Sequence, residues 1–204
     1  YDVRGLVGTE LNDQVVSAFG AAFVAVLELA GKQLVVGHDM RDSSPGFAAA
    51  FAAGANQLGA DVLMMGLCST DMNYFASGSM GLPAAMFTAS HNPASYNGIK
   101  FSRAGARGIS LDTGLAEIRE RAKGFLAHGI PQIDSGSARE INVLPDYVAY
   151  LNSLVPLASA RKLKVVVDAA NGMGGFTVPA VLGEHPNLEI VPMYFELDGS
   201  FPNH

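Results

Sequence analysis

Thr88-Ala89-Ser90-His91-Asn92-Pro93 brings a hydroxyl, an imidazole and a carboxamide into one short stretch. The apolar run before it, Ala84–Phe87, reads as a buried strand. Ser90 therefore falls at the carboxyl end of a strand, the rim where open α/β sheets bind ligands. Pro93 stops the chain from continuing as strand. Asn97-Gly98 is a strong turn signal and predicts a reversal there, carrying Lys100 back toward Ser90. A hydroxyl nucleophile, an imidazole and an amine would then meet on one loop. The same residues are also ordinary turn chemistry. A serine hydrolase using Ser90 and His91 is disfavoured, because adjacent side chains diverge and no G-x-S-x-G elbow surrounds Ser90.

The elements that must hold this loop follow from periodicity and punctuation. Asn12 or Asp13 caps a helix expected to run to Ala30, with Val15, Phe19, Ala22 and Val26 on one apolar stripe and Gly31 as its stop. Gln33–Gly37 and Asp61–Leu67 read as strands. Between them Ser44 caps a helix with Pro45 at its first position. Thr70 caps a short helix, Asp71–Ala76. Arg103–Ile109 is expected to be a mobile loop, Leu115–Ala127 a helix and His128–Asn142 a linker. Pro145–Leu154 is a further helix, Leu157–Arg161 the expected hinge, and Lys164–Val167 opens a second α/β unit with a Gly-rich turn at 171–175. The rhythm predicts a three-layer α/β/α fold on a mixed, largely parallel sheet in residues 1–157, and the beginning of a second similar domain in 158–204.

The chain has 204 residues, 49% hydrophobic and 16% charged, which is enough to bury a proper core. A net charge of −6 disfavours a general nucleic-acid role. A local basic pocket for a phosphorylated substrate could draw on Arg4, Arg41, Lys100, Arg103 and Arg107. The lone Cys68 excludes an intrachain disulfide and is read as a core-edge residue. No apolar run is long enough to cross a membrane as a helix and no signal-peptide pattern opens the chain, so a cytoplasmic protein is expected. The missing initial Met suggests that native N-terminal residues precede Tyr1.

The stretch from Phe87 to Phe101 closely resembles the phosphoserine loop of the α-D-phosphohexomutases, most of all the bacterial phosphomannomutase/phosphoglucomutase branch. Four further stretches resemble that family in order: Tyr1-Asp2-Val3-Arg4-Gly5, Gly37–Pro45, Val165–Gly172 and Asp198–His204. The resemblance implies an enzyme that interconverts hexose 1-phosphates and 6-phosphates through a bisphosphate sugar, with Ser90 carrying the resting phosphate. It implies Lys100 as general base or acid toward the sugar hydroxyl, a role that requires a lysine tuned by a pocket or a neighbouring cation. By the same resemblance Arg4 would bind the phosphate, Tyr1 would line the site, His91 would orient or protonate neighbouring groups, and Asn92 would shape the loop beside the substrate. Arg41, Ser43 and Ser44 are read as structural.

Magnesium is the implied metal. In the family one ligand comes from the phosphoserine, here Ser90, and three from a D-G-D-x-D-R loop that this sequence does not contain. Asp39 and Asp42 do not replace it. A glucose 1,6-bisphosphate-type activator is also implied, and the missing domains of the same polypeptide are expected partners. The 204 residues alone are expected to be inactive. The alternatives are a phosphoglucosamine mutase, which differs only in the sugar, and a non-catalytic domain that keeps the fold.

Overall fold

The structure is a computed structural model that describes residues 2–133, 135–155, 157 and 161–203. Tyr1 and most of the expected hinge at 157–161 lie outside the described residues. The chain forms two compact units, Tyr1–Ile141 and Asn142–His204. The division falls before the 157/158 boundary expected from the sequence, and the helix at Leu144–Leu154 groups with the second unit.

Among its described residues the first unit holds seven strands and four α-helices. The strands are β1 (Val3–Leu6), β2 (Gln33–His38), β3 (Asp61–Leu67), β4 (Ala84–Phe87), β5 (Tyr96–Arg103), β6 (Arg107–Gly108) and β7 (Ala138–Glu140). The helices are α1 (Asp13–Leu27), α2 (Ser44–Gln57), α3 (Thr70–Met80) and α4 (Leu115–His128). Strand order is β1-β5-β4-β2-β3-β7, with β6 beside β5. Strands β4, β2, β3 and β7 pair in parallel, and β5 pairs antiparallel with both β1 and β4.

Local chemistry explains where these elements stop and start. The Asn12 side chain accepts a hydrogen bond from Val15 N at 3.0 Å, the usual N-cap geometry. Helix α1 ends at Leu27, short of the expected Ala30, because Glu28 turns left-handed and its N–H bonds to Val24 O. The cap position of α2 is Ser43, one residue before the expected Ser44, which is buried inside the first turn. Ser69, not Thr70, caps α3 and accepts from Met72 N.

Helices α1, α2 and α4 cover one face of the sheet and α3 the other. Phe23 stacks on Phe101 at 5.0 Å, and Phe51 meets Phe87 edge-on at 5.7 Å. Each buried ring contributes roughly 1.5–3 kcal/mol. Helices α1 and α2 touch at backbone level: a Cβ on Gly20 would lie 2.1 Å from Phe51 O, and one on Gly54 1.9 Å from Ser17 O.

Three expectations change here. Asn97-Gly98 is not a turn but part of β5, paired with Gly5 and Arg4 of β1. The reversal is made by residues 88–95 instead. The expected loop Arg103–Ile109 contains β6, which folds back on β5, and the expected linker 128–142 contains β7 on the edge of the sheet.

The second unit contains α5 (Leu144–Leu154), β8 (Leu163–Asp168), α6 (Gly174–Leu182) and β9 (Leu188–Met193). Strands β8 and β9 are parallel and in register from Leu163↔Leu188 to Asp168↔Met193, with α6 as the crossover. Asn171, left-handed and buried, donates to Glu196 O and accepts from Asn203 Nδ2, tying the Gly-rich turn to the segment after β9.

Candidate active site

Strand β4 delivers the Ser90 loop to the carboxyl end of the parallel strands. Thr88, buried at that end, accepts the Ser90 N–H on Oγ1 at 3.0 Å. Ser90 adopts φ 53, a left-handed conformation that costs a non-glycine residue roughly 1–2 kcal/mol. Its side chain is exposed, and Oγ lies 3.4 Å from His91 Nδ1, a long contact between neighbouring residues.

Two guanidinium groups grip this loop. Arg41 is buried to 2% exposure. Its Nη atoms donate to four backbone carbonyls of the loop: Ser90 O at 2.9 Å, Asn92 O at 2.6 Å, Pro93 O at 2.9 Å and Tyr96 O at 2.9 Å. Burial pulls the Arg41 pKa below its ordinary value and the carboxylate of Asp39, 3.5 Å away, opposes it. Asp39 is buried as well and accepts from Arg41 N and from Ser44 Oγ at 2.7 Å. Asn97 Nδ2 in turn donates to Ser43 Oγ and Ser44 Oγ, at 2.8 and 2.9 Å. Arg41, Ser43 and Ser44 thus belong to a buried network.

Arg4 holds the loop at a different point. Its Nη1 donates to Ala89 O and to Asn92 Oδ1, while Nε and Nη2 donate to Asp2 Oδ2 at 3.2 and 2.9 Å. Lys100 Nζ donates to the same Asp2 oxygen at 3.2 Å. Register explains the meeting. Arg4 lies opposite Gly98, Lys100 stands two residues after Gly98 on the same face of β5, and Asp2 stands two residues before Arg4, just ahead of β1. Gly98 leaves room for the crossing, since a Cβ there would lie 2.3 Å from Val3 O and 3.3 Å from Arg4 Cδ. Burial acts to raise the Asp2 pKa, but the bonds and charges of Arg4 and Lys100 outweigh it and hold the carboxyl below its ordinary value.

The structure therefore brings Ser90, His91, Asn92, Arg4 and Lys100 to one end of the sheet. Lys100 reaches the loop through Asp2 and Arg4, not through a turn at Asn97-Gly98. Tyr1 lies outside the described residues. Sequence reading singled out neither Asp2 nor Thr88, Asp39 and Asn97 as site-building residues. For Asp2 the available signal was its place two residues before Arg4, a spacing at which extended chain puts side chains on one face.

Magnesium takes oxygen ligands in near-octahedral geometry. Asp39 is engaged by Arg41 and Ser44, and Asp2 by Arg4 and Lys100. Among the described residues no group of three or more His, Cys, Asp or Glu side chains is placed to hold a metal. Ser90 and its surroundings do not make a magnesium site by themselves.

Residues 1–124 match the family described as phosphoglucomutase/phosphomannomutase, alpha/beta/alpha domain I, and residues 145–204 match its alpha/beta/alpha domain II. The chain belongs to the phosphoglucomutase/phosphomannomutase family. Relatives of this chain include the "Phosphohexose mutases" of Xanthomonas campestris pv. campestris (strain B100), 39% identical over 205 residues, covering 100% of this chain and 44% of that protein. A phosphomannomutase of Escherichia coli (strain K12) is 36% identical over 211 residues, covering 100% of this chain and 45% of that protein. The crystal structure of a phosphoglucomutase/phosphomannomutase family protein from Burkholderia thailandensis superposes with a TM-score of 0.80 at 31% identity, covering 100% of this chain and 45% of that one. The chain spans under half the length of these relatives. The family read from the Ser90 loop and the largely parallel, helix-flanked sheet are both borne out.

Proposed function

We propose that this chain supplies the phosphoserine-bearing part of a phosphohexomutase that exchanges phosphate between the 1- and 6-hydroxyls of mannose or glucose. The observation that carries this reading is Ser90 itself: an exposed hydroxyl, held left-handed at a strand end, with two cations, Arg4 and Lys100, on the adjoining sheet face. Phosphoryl transfer asks mainly for positioning and for neutralised charge on the phosphoryl oxygens.

In the resting enzyme Ser90 Oγ carries the phosphate. A sugar hydroxyl oxygen attacks phosphorus; the new O–P bond forms as the P–Oγ bond breaks, and the hydroxyl proton ends on Ser90 Oγ. Lys100 serves as the acid–base group for that proton. The bisphosphate sugar then reorients, and its other phosphate returns to Ser90 by the reverse exchange. Arg4 gives up its bonds to Asn92 and Asp2 to bind phosphoryl oxygens bidentately. His91 orients the hydroxyl, and Asn92 borders the substrate. A glucose 1,6-bisphosphate-type activator keeps Ser90 loaded, and the magnesium ligands other than Ser90 come from outside this chain.

No helix among the described residues is long and apolar enough to cross a membrane; we place the enzyme in the cytoplasm. The 204 residues alone are expected to be inactive. A phosphoglucosamine mutase would use the same loop, and assay of the complete protein with mannose, glucose and glucosamine phosphates separates the two. Ser90→Ala should abolish most turnover and the added mass of one phosphate that wild type is expected to carry. Undiminished activity in that variant would take Ser90 out of the mechanism. Lys100→Ala should cut the rate more than it lowers stability.

A further inference from the structure

We propose that Arg41 is a positioning residue for phosphoryl transfer: it aims Ser90 by pulling the carbonyls of the loop inward. The inference rests on the phosphoserine reading above and extends it to a residue that touches no substrate.

The bonds from Arg41 to the loop end on the carbonyls of Ser90, Asn92, Pro93 and Tyr96. Both backbone groups of Ser90 are thereby fixed, the N–H by Thr88 Oγ1 and the carbonyl by Arg41. With those two groups held, the left-handed backbone of Ser90 has one orientation, and so has the Cα–Cβ bond that carries its hydroxyl. The same bonds turn four carbonyl dipoles toward a buried cation. Their negative ends point away from the outer side of the loop, where Ser90 is exposed and a phosphate dianion would sit. A flexible loop with carbonyls facing outward would repel that dianion.

Closing a loop does not in general require a buried charge, which demands a buried counter-ion and further bonds to be tolerated. Here a counter-ion and a chain of supporting bonds are present. Asp39 balances Arg41, Ser44 and the Arg41 N–H satisfy Asp39, and Asn97 of β5 satisfies the two serines. The start of α2 and the strand after the loop therefore anchor the guanidinium from both sides. Lysine in its place keeps the charge but cannot direct a planar fork at several carbonyls.

The test uses the complete protein, with glucose 1,6-bisphosphate as phosphate donor and the loading of Ser90 followed by quenched-time mass spectrometry. Arg41→Lys and Ser44→Ala are compared with wild type, and folding is checked by circular dichroism. Arg41→Lys should load roughly 100-fold more slowly, the penalty of an ångström-scale misplacement, with an unchanged half-saturating donor concentration. Ser44→Ala, which removes a donor to Asp39 and an acceptor of Asn97, should load several-fold more slowly on the same pattern. Wild-type loading by a folded Arg41→Lys overturns the proposal, as does a change confined to half-saturation. If Arg41→Lys does not fold, Ser44→Ala decides: slowed loading supports the proposal and wild-type loading overturns it. If wild type itself takes no phosphate, the phosphoserine reading falls and the inference with it, an outcome distinct from a failure in the variants alone.

Discussion

Gly98 is the position where a single methyl group should disturb both the sheet and the site. It lies in β5 between β1 and β4, opposite Arg4, and its carbonyl accepts Thr88 N–H at 3.1 Å. In Gly98→Ala the new Cβ would stand 2.3 Å from Val3 O and 3.0 Å from Thr88 O, and both of those atoms are backbone. A carbon–oxygen contact needs about 3.3 Å. Strand β1 would therefore have to retreat by about 1 Å from the 2.3 Å contact. Overpacking of this kind costs about 1–3 kcal/mol, and a weakened ladder bond adds about 1 kcal/mol. At about 3 °C per kcal/mol for a unit of this size, Tm should fall by roughly 6–12 °C. Because Arg4 rides on β1, the retreat should also loosen its hold on Ala89 O and Asn92, and the mutase kcat should fall by about tenfold or more. The assay is a thermal melt followed by circular dichroism, together with turnover of the complete protein at a temperature where both forms are folded. Gly124→Ala is the control: this glycine lies in α4 with nothing within 4 Å of a built Cβ, so alanine should stabilise by about 0.5–1 kcal/mol. A Gly98→Ala protein with wild-type Tm and turnover would refute the steric argument.

Asp2→Asn removes the shared acceptor of Arg4 and Lys100 and should lower stability by about 1 kcal/mol at neutral pH, as for a partly exposed charge network. Because the folded-state pKa of Asp2 is depressed, its contribution is present above the ordinary value of 3.8 and is lost as pH falls through the folded value. Urea unfolding should show the gap between wild type and variant closing in strong acid; an equal gap at neutral and acid pH would contradict the assignment. Burial pushes the Cys68 thiol from 9.0 up to about 12, against a weaker opposing bond from the His38 backbone. Its raised pKa means that the neutral buried thiol favours folding fully below about pH 9 and loses that effect as pH rises toward about 12. Cys68 should resist maleimide in the native protein and react in urea, and fast native labelling would show that the thiol is reachable.

Much of this protein is set locally and was legible along the chain. The strands Asp61–Leu67 and Ala84–Phe87 are short apolar runs bounded by polar punctuation, and the structure keeps both bounds. Asn12 caps α1 because its side chain needs only a donor three residues away. The Ser90 loop and its four companion stretches carried the family, since side-chain identities at a reactive loop do not depend on knowing the sheet order.

Tertiary structure decided the rest. Asn97-Gly98 has the local signature of a turn, yet ladder bonds to β1 and β4 and the buried bonds of Asn97 to Ser43 and Ser44 make it strand. Strand β7 has three residues at the sheet edge, too few to show a period, and exists because β3 offers it a free edge. Arg41 was read as structural from the sequence, but only the fold shows what it holds: it is the buried clamp of residues roughly fifty positions away. Asp2 was legible only as the neighbour of Arg4, until the pairing of β1 with β5 set it beside Lys100. Short-range propensity scores each residue against its neighbours in the chain. Hydrogen bonds that join distant segments enter only once the sheet has closed, and in this protein they set the geometry of the loop that carries Ser90.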